Sequence, residues 1–308
     1  MPDVSILMPM KNAEAYISET IQSLLNQSLP SFEIIVVNDG SDDDSELLVE
    51  SFSDKRIKLI QGECKGISAA LNLALSHAQG SYVCRCDADD LYPSDRLQVQ
   101  IEWLETHPDC IAVAGKFSSM DEKSNVISAF NTGDDECDIT PELLSGKTRT
   151  HLGAFLMRLS IVNQLQGFRE YFVTAEDIDM QLRLAECGMV GYIPQNMYFY
   201  RLHNASITHV QSSSKRIFYE KVAREFLLQR LESGEDLLDK GIPPRPPIID
   251  DKPSDSIEQI VGYMVSEAWR LHAKKQKKPA LLMAFRACKK MPMDWQVWKT
   301  FFMILVKN

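Results

Sequence analysis

Tyr82-Val83-Cys84-Arg85-Cys86-Asp87-Ala88-Asp89-Asp90 is an apolar run that ends in three clustered carboxylates. A strand interior avoids such a cluster, because an unpaired buried charge is costly or neutralises itself. In one reading the carboxylates gather where a strand ends, face a cleft, and share a hard divalent cation with bound phosphates. In the other they form an acidic surface turn, since short acidic motifs recur by chance. The stretch alone leaves both open.

Outward from it, the first hundred residues alternate two periods. Residues 4–8 are a short apolar run, and Ile17, Ile21, Leu24 and Leu25 follow at helical spacing until Pro30. Residues 33–37 read as a buried strand closed by Asn38-Asp39-Gly40-Ser41, and residues 57–60 as another. Ile67, Ala70, Leu71, Ala74 and Leu75 mark a helix before the strand at 81–86. Strands alternating with helices predict an α/β fold with βαβ units around a mixed, mainly parallel sheet. Ligands of such sheets bind beyond the carboxyl ends of the strands. Polar clusters at residues 9–14, 38–44 and 87–90 all fall at those ends, which favours a shared site.

Further along, residues 110–127 predict two strands joined by a turn near residues 121–125, and residues 131–140 a polar loop. Residues 151–157 read as a strand, and residues 177–186 as a helix with Gly188 just past its end. Residues 212–231 are helical in pattern. Pro243, Pro244, Pro246, Pro247 and Pro253 then crowd a linker near 241–256. Ile257, Ile260, Val261, Met264, Val265 and Ala268 define an amphipathic helix. The expected division is a catalytic domain at 1–210 and a helical C-terminal extension at 211–308.

Composition narrows the function. With 308 residues, 44% hydrophobic and 25% charged, the chain is long enough for a sizeable core. A net charge of −10 argues against nucleic-acid binding, which wants a basic face. The seven cysteines show no zinc-like spacing and read as small buried hydrophobes. No basic segment with a long apolar core opens the chain, and the late apolar run at 301–306 is too short to span a bilayer, so the expected location is cytoplasmic.

Each polar cluster has a bland alternative. Asn38-Asp39-Gly40-Ser41 is either a turn or the place where an aspartate meets a nucleobase or ribose. Residues 8–14 are a helix entry or part of a pocket. In Thr174-Ala175-Glu176-Asp177-Ile178-Asp179 the acids either suit a helix N-terminus or supply a general base. His203 is structural or a ligand.

In order, Val4-Ser5-Ile6-Leu7-Met8-Pro9-Met10-Lys11-Asn12, Val36-Val37-Asn38-Asp39-Gly40-Ser41, Lys65-Gly66-Ile67-Ser68-Ala69-Ala70-Leu71-Asn72, Arg85-Cys86-Asp87-Ala88-Asp89-Asp90, Gly167-Phe168-Arg169 and Ala175-Glu176-Asp177 resemble the motif series of the family 2 glycosyltransferases, over roughly residues 3 to 209. The resemblance implies a GT-A nucleotide-sugar-binding domain and inverting sugar transfer. It implies that Pro9, Asn12, Glu14 and Asp39 line the nucleotide pocket, that Asp87 contacts the ribose, and that Asp89 holds Mg²⁺ or Mn²⁺ against the diphosphate. His203 sits where some members supply a further metal or diphosphate ligand. Asp177 is the implied catalytic base and Glu176 helps to place the acceptor. One common pattern has an arginine before the asparagine matching Asn72. Leu71 stands there, which shifts diphosphate or base contacts to Lys65.

The implied partners are a nucleotide-diphosphate sugar, a UDP-sugar first, and a glycan or lipid-linked glycan acceptor in bacterial surface polysaccharide or lipopolysaccharide synthesis. The rivals are a sugar nucleotidyltransferase, which would carry a glycine-rich loop where residues 8–14 have no glycine, and a catalytically silent sugar-nucleotide-binding or scaffold protein. In the tail, Trp295, Trp298, Phe302 and Leu305 recur at helical spacing near the basic run Lys274-Lys275-Gln276-Lys277-Lys278. They form either an interfacial helix at the inner face of the membrane or a helix that packs on the catalytic domain or on a second subunit.

Overall fold

The structure, a computed structural model, describes residues 1–130, 132–203, 213–247 and 256–307. Strand β1 (Val4–Met10) forms on an apolar run, and helix α1 (Ile17–Leu25) begins where apolar residues shift to helical spacing. The pattern repeats through β2 (Phe32–Asn38), α2 (Ser45–Glu50), β3 (Ile57–Gln61), α3 (Ile67–Ser76) and β4 (Tyr82–Arg85). Every residue of β2 and β4 is buried, as expected of parallel strands covered on both faces. These four strands are parallel in the order β3-β2-β1-β4. Met10 pairs with Asn38 and Leu7 with Arg85, so the chain leaves β1, β2 and β4 along one edge of the sheet.

The sheet then changes sense. After α4 (Arg96–Thr106) come β5 (Cys110–Met120), β6 (Val126–Ala129), β7 (Cys137–Asp138) and α5 (Thr140–Leu144). A 3-10 turn at Leu152–Ala154 leads to β8 (Leu156–Arg158), α6 (Leu159–Gln164), α7 (Glu176–Cys187) and β9 (Met189–Arg201). β8 joins β4 antiparallel and the order continues β8-β5-β9-β7, giving nine strands among the described residues with β6 attached to β5. Four helices follow: α8 (Ser213–Ser233), α9 (Ser256–Ala273), α10 (Lys277–Lys290) and α11 (Trp295–Val306). No helix among the described residues is long and apolar enough to cross a membrane.

By spatial contact the chain forms two compact units. One comprises residues 1–117, 131–199 and 216–247; the other comprises 118–130, 200–215 and 248–308. The first therefore takes in residues 216–247, which the sequence reading assigned to the C-terminal extension. Its main core runs from Leu7, Ile35 and Val37 through Leu71 and Val83 to Phe155, Met180 and Tyr192. The second has its own core, built on Ile260, Val261, Met264, Ala284, Val297 and Ile304.

Two local expectations need correction. Residues 151–157 are not one strand: His151 caps the 3-10 turn by accepting the Gly153 amide at Nδ1 (3.0 Å), and only Leu156–Arg158 pairs in the sheet. A Cβ on Gly153 would lie 2.8 Å from the Tyr198 ring, so the close packing depends on glycine. Residues 132–140 are not all loop, since Cys137 and Asp138 pair with Tyr192 and Gly191. Among the cysteines, all of which are free, Cys64 is exposed rather than buried. The linker's residues 248–255 lie outside the described residues.

Gly80 marks where β4 is fitted against β1. Its amide and that of Gln79 donate to Ser5 Oγ (2.9 and 3.0 Å), which itself donates to Glu33 (2.7 Å). A Cβ there would meet the Ser5 amide nitrogen at 2.7 Å and the Tyr82 carbonyl at 2.9 Å, both backbone. Gly80→Ala is expected to cost about 1–3 kcal/mol in urea unfolding, as overpacking does. An unchanged midpoint would refute the close fit.

Candidate active site

The loops leaving the carboxyl edge are tied together by bonds between side chains and backbone. After β1, Asn12 turns with φ 51°, a region in which asparagine is among the commoner residues. Its amide donates to Ser41 Oγ (3.0 Å) and its Oδ1 accepts from the Asp42 amide (2.9 Å). Glu14 repeats the exchange, donating its amide to Asp43 (3.0 Å) and accepting the Asp44 amide (3.1 Å). Asn12 and Glu14 thus clasp the loop after β2. Pro9 is half-buried in β1, paired with Val37.

Asp39 is buried and accepts the amides of Lys65 (3.2 Å) and Gly66 (2.8 Å), which fixes the entry to α3. Lys65 is exposed and pairs with Glu63. Leu71, at the position where the family often has arginine, is wholly buried in the core.

The acids after β4 occupy three different environments. Asp90 is wholly buried and accepts the Tyr198 hydroxyl, which makes it structural. Burial and the charge of Asp90 hold Tyr198 well above the usual phenol range, so it keeps its proton. Asp89 is partly exposed. Asp87 is bound by Arg85, with Nε 2.7 Å from Oδ1 and Nη2 3.1 Å from Oδ2. The third guanidinium nitrogen of Arg85, Nη1, lies 2.7 Å from Glu176 Oε1. Arg85 is itself buried, so it joins the end of β4 to the start of α7 through a desolvated pair on each side. Sequence reasoning passed over Arg85 as part of an apolar run. The available signal was a full positive charge inside a buried strand, which requires a partner.

Position and strain set the start of α7. Ala175, just before it, adopts φ 63°, a left-handed conformation costing an alanine about 1–2 kcal/mol. The loop ahead of it is anchored on α3: Asn72 donates to the Phe168 carbonyl (2.7 Å) and accepts its amide (2.8 Å), and Ser68 donates to the Phe172 carbonyl (2.9 Å). Arg169 binds both Asp179 and Asp236, Arg183 adds to Asp179 (2.9 Å), and Arg230 adds to Asp236 (2.5 Å). Ion pairs therefore fasten α7 and α8 together behind the site.

His151, a second residue that sequence reasoning missed, lies beside Asp177 with Nε2 3.7 Å from Oδ2. Since Nδ1 accepts the Gly153 amide, the proton of the neutral ring sits on Nε2, on the side of Asp177. The ring stacks on Tyr198 at 5.0 Å. Burial lowers the His151 pKa, while the nearby charges of Asp177, Asp87 and Asp89 oppose the fall. Burial raises the Glu176 carboxyl; Arg85 opposes this and Asp177 adds to it. Asp87, Asp89, His151, Glu176 and Asp177 are thus one electrostatic group around Arg85. His203 lies at the end of β9, buried, in the second unit.

The family described as Glycosyl transferase family 2 matches residues 5–164. The chain belongs to glycosyltransferase family 2. It is 34% identical over 197 residues to the putative glycosyltransferase EpsE of Bacillus subtilis, covering 62% of this chain and 69% of that protein. It is 30% identical over 239 residues to an uncharacterized glycosyltransferase of Haemophilus influenzae, covering 73% of each. The chondroitin synthase of Escherichia coli matches at 30% over 231 residues, 74% of this chain but 33% of the synthase. A crystal structure of S. aureus TarS 1-349 in complex with UDP-GlcNAc superposes with a TM-score of 0.63 at 16% identity, covering 94% of this chain and 81% of that one. The fold of this glycosyltransferase is therefore the GT-A architecture implied by its motifs. Family membership also sets aside the nucleotidyltransferase alternative. Among the described residues no three His, Cys, Asp or Glu side chains converge into a protein-only metal cage.

Proposed function

We propose that this glycosyltransferase moves a sugar, with inversion, from a nucleoside-diphosphate sugar to an acceptor hydroxyl, with Asp177 as the base. The observation that carries the reading is the Arg85 bridge, which joins Asp87, just past the end of β4, and Glu176-Asp177 into one cluster. Direct displacement at an anomeric carbon needs a deprotonated acceptor on one side and a stabilised leaving group on the other. Asp177 is partly exposed beside a histidine that carries its proton on the facing nitrogen, an arrangement that suits a carboxylate awaiting a hydroxyl proton.

On the donor side, Pro9, Asn12, Glu14, Asp39 and Lys65 border the carboxyl edge, and Asp87 is the ribose partner in this reading. Likeness to TarS, which is seen with UDP-GlcNAc, supports a UDP-sugar. The donor chemistry of Asp89 fits a hard divalent ion: Asp87 is engaged by Arg85, so a cation would draw on Asp89 and on diphosphate oxygens, the usual way Mg²⁺ is held with few protein ligands. When bound, such an ion would neutralise charge growing on the departing diphosphate. His203 stays a candidate ligand only by analogy. Glu176, bound to Arg85, is read as placing the acceptor side. The match to a chondroitin synthase supports a glycan acceptor, and the proposal extends to a lipid-linked glycan in surface polysaccharide synthesis.

The test is a thermal-shift series of nucleotide sugars with and without Mn²⁺, paired with an assay for released nucleoside diphosphate. A ligand at a hundred times its Kd adds about 2.7 kcal/mol of stability, a shift of several degrees. Asp89→Ala is expected to abolish the Mn²⁺-dependent part of that shift. An equal shift in the variant would remove Asp89 from the metal role, and binding without release of nucleoside diphosphate would favour a silent binding protein.

A further inference from the structure

Helices α10 and α11 expose a continuous apolar face among the described residues. On α11, Trp295, Trp298, Phe302 and Leu305 follow one another at steps of three and four, with Trp295 70% and Phe302 46% exposed. On α10, Lys278, Leu282, Phe285 and Lys289 do the same, with Leu282 63% exposed. The two rows meet through aromatic rings: Phe285 lies 5.9 Å from Phe301, Phe301 5.7 Å from Phe302, and Phe302 stacks on Trp298 at 6.1 Å. Met293 and Val306 extend the face and are almost fully exposed. The buried sides of the same helices, Ala284, Ala287, Val297 and Ile304, already fill the core of the second unit, so the outer face is surplus to folding.

Charge identifies what covers it. Residues 256–307 carry ten Lys and Arg against three Asp and Glu, in a chain whose net charge is −10. Of these bases, Arg286 pairs with Asp121, Lys290 with Glu122 and Arg270 with Glu267. Lys274, Lys275, Lys278, Lys289 and Lys299 are exposed, Lys278 and Lys289 on the α10 row itself and Lys289 4.9 Å above the Phe285 ring. Of the three acids in this stretch, Glu267 is bound by Arg270, Asp294 caps α11 by accepting the Gln296 amide (2.7 Å), and Glu258 lies in the first turn of α9. A second copy on this face would set lysine rim against lysine rim. We infer that the α10–α11 face docks on an anionic phospholipid surface, with Trp295, Trp298 and Phe302 at headgroup level and the lysines on lipid phosphates. The inference stands apart from the reading of the donor site.

The test is flotation of the full chain with phosphatidylcholine vesicles that contain or lack phosphatidylglycerol, together with tryptophan quenching by bromine-labelled lipid in the unaltered protein. Flotation only with the anionic vesicles, accompanied by quenching, is expected. Each exposed lysine near such a surface contributes roughly fivefold, so Lys278→Gln/Lys289→Gln/Lys299→Gln should weaken partition on the order of a hundredfold. Trp295→Ser/Phe302→Ser should abolish quenching and flotation while leaving the thermal shift with nucleotide sugar intact. Absence of flotation and quenching in the unaltered protein, or variants that float as it does, would overturn the proposal. So would self-association that Trp295→Ser/Phe302→Ser abolishes without any vesicle binding.

Discussion

Asp177→Asn is expected to bind nucleotide sugar as the parent does and to transfer it roughly 10²–10⁴-fold more slowly, the range a positioned general base contributes. Asparagine keeps the shape of the side chain and removes the proton acceptor. No neighbour is placed to take over. Glu176 is held by Arg85. His151 carries its proton on the nitrogen nearest Asp177, while its other nitrogen accepts the Gly153 amide. Burial keeps the ring neutral, so it supplies no compensating charge either. Donor affinity by calorimetry and transfer by product analysis separate the two effects. Normal transfer by Asp177→Asn would mean that the base lies elsewhere; loss of donor binding would mean that Asp177 belongs to the donor pocket.

Arg85→Met should have the largest effect on stability. Methionine fills much of the same volume but leaves the carboxylates of Asp87 and Glu176 without their cation. Removing one partner from a buried ion pair costs about 3–5 kcal/mol. For a protein of this size that lowers the melting temperature by on the order of ten degrees. The loss should depend on pH with a definite sign. Burial already raises the Glu176 pKa above its ordinary 4.5, and Arg85 is the group opposing that rise. In the variant the folded pKa climbs further above the unfolded one. The folded state then holds a proton that the unfolded state releases, so stability falls as pH rises from 4.5 through the raised value. Urea unfolding at acid and at alkaline pH checks this: the gap between Arg85→Met and the parent must widen toward alkaline pH. A constant gap would show that the bridge to Glu176 contributes little.

These two substitutions mark the limits of legibility in the sequence. The parallel half was readable because β1, β2 and β4 are mainly apolar runs, each followed by a polar cluster. The hairpin of β5 and β6 was readable from its Asp121–Asn125 turn, which Asp121 closes by accepting the Asn125 amide (2.9 Å). β9 was not, because Pro194, Gln195 and Asn196 interrupt its period although it spans thirteen residues. The motifs give Asp90 no role, and only its partner Tyr198, 108 residues away, shows what it does. Arg85 and His151 escaped for the same reason. Their significance lies in Glu176 and Asp177, and no local pattern encodes a contact across 91 residues.

The change of sense between β4 and β8 has a consequence for how such enzymes diversify. The residues proposed to border the donor precede this boundary, and Glu176 and Asp177 follow it. Within the first unit the two sides share the main core and the pairing of β4 with β8, and buried polar contacts join them: the Arg85 bridge, the Tyr198–Asp90 bond and the anchorage of the 168–172 loop on Asn72 and Ser68. A chimaera that keeps residues 1–90 and takes its later half from another family member must refill that shared core as well as remake those polar contacts. On the proposed division of roles, exchange at this boundary would vary the acceptor and keep the sugar-nucleotide site, but only between relatives whose later half fits the same core.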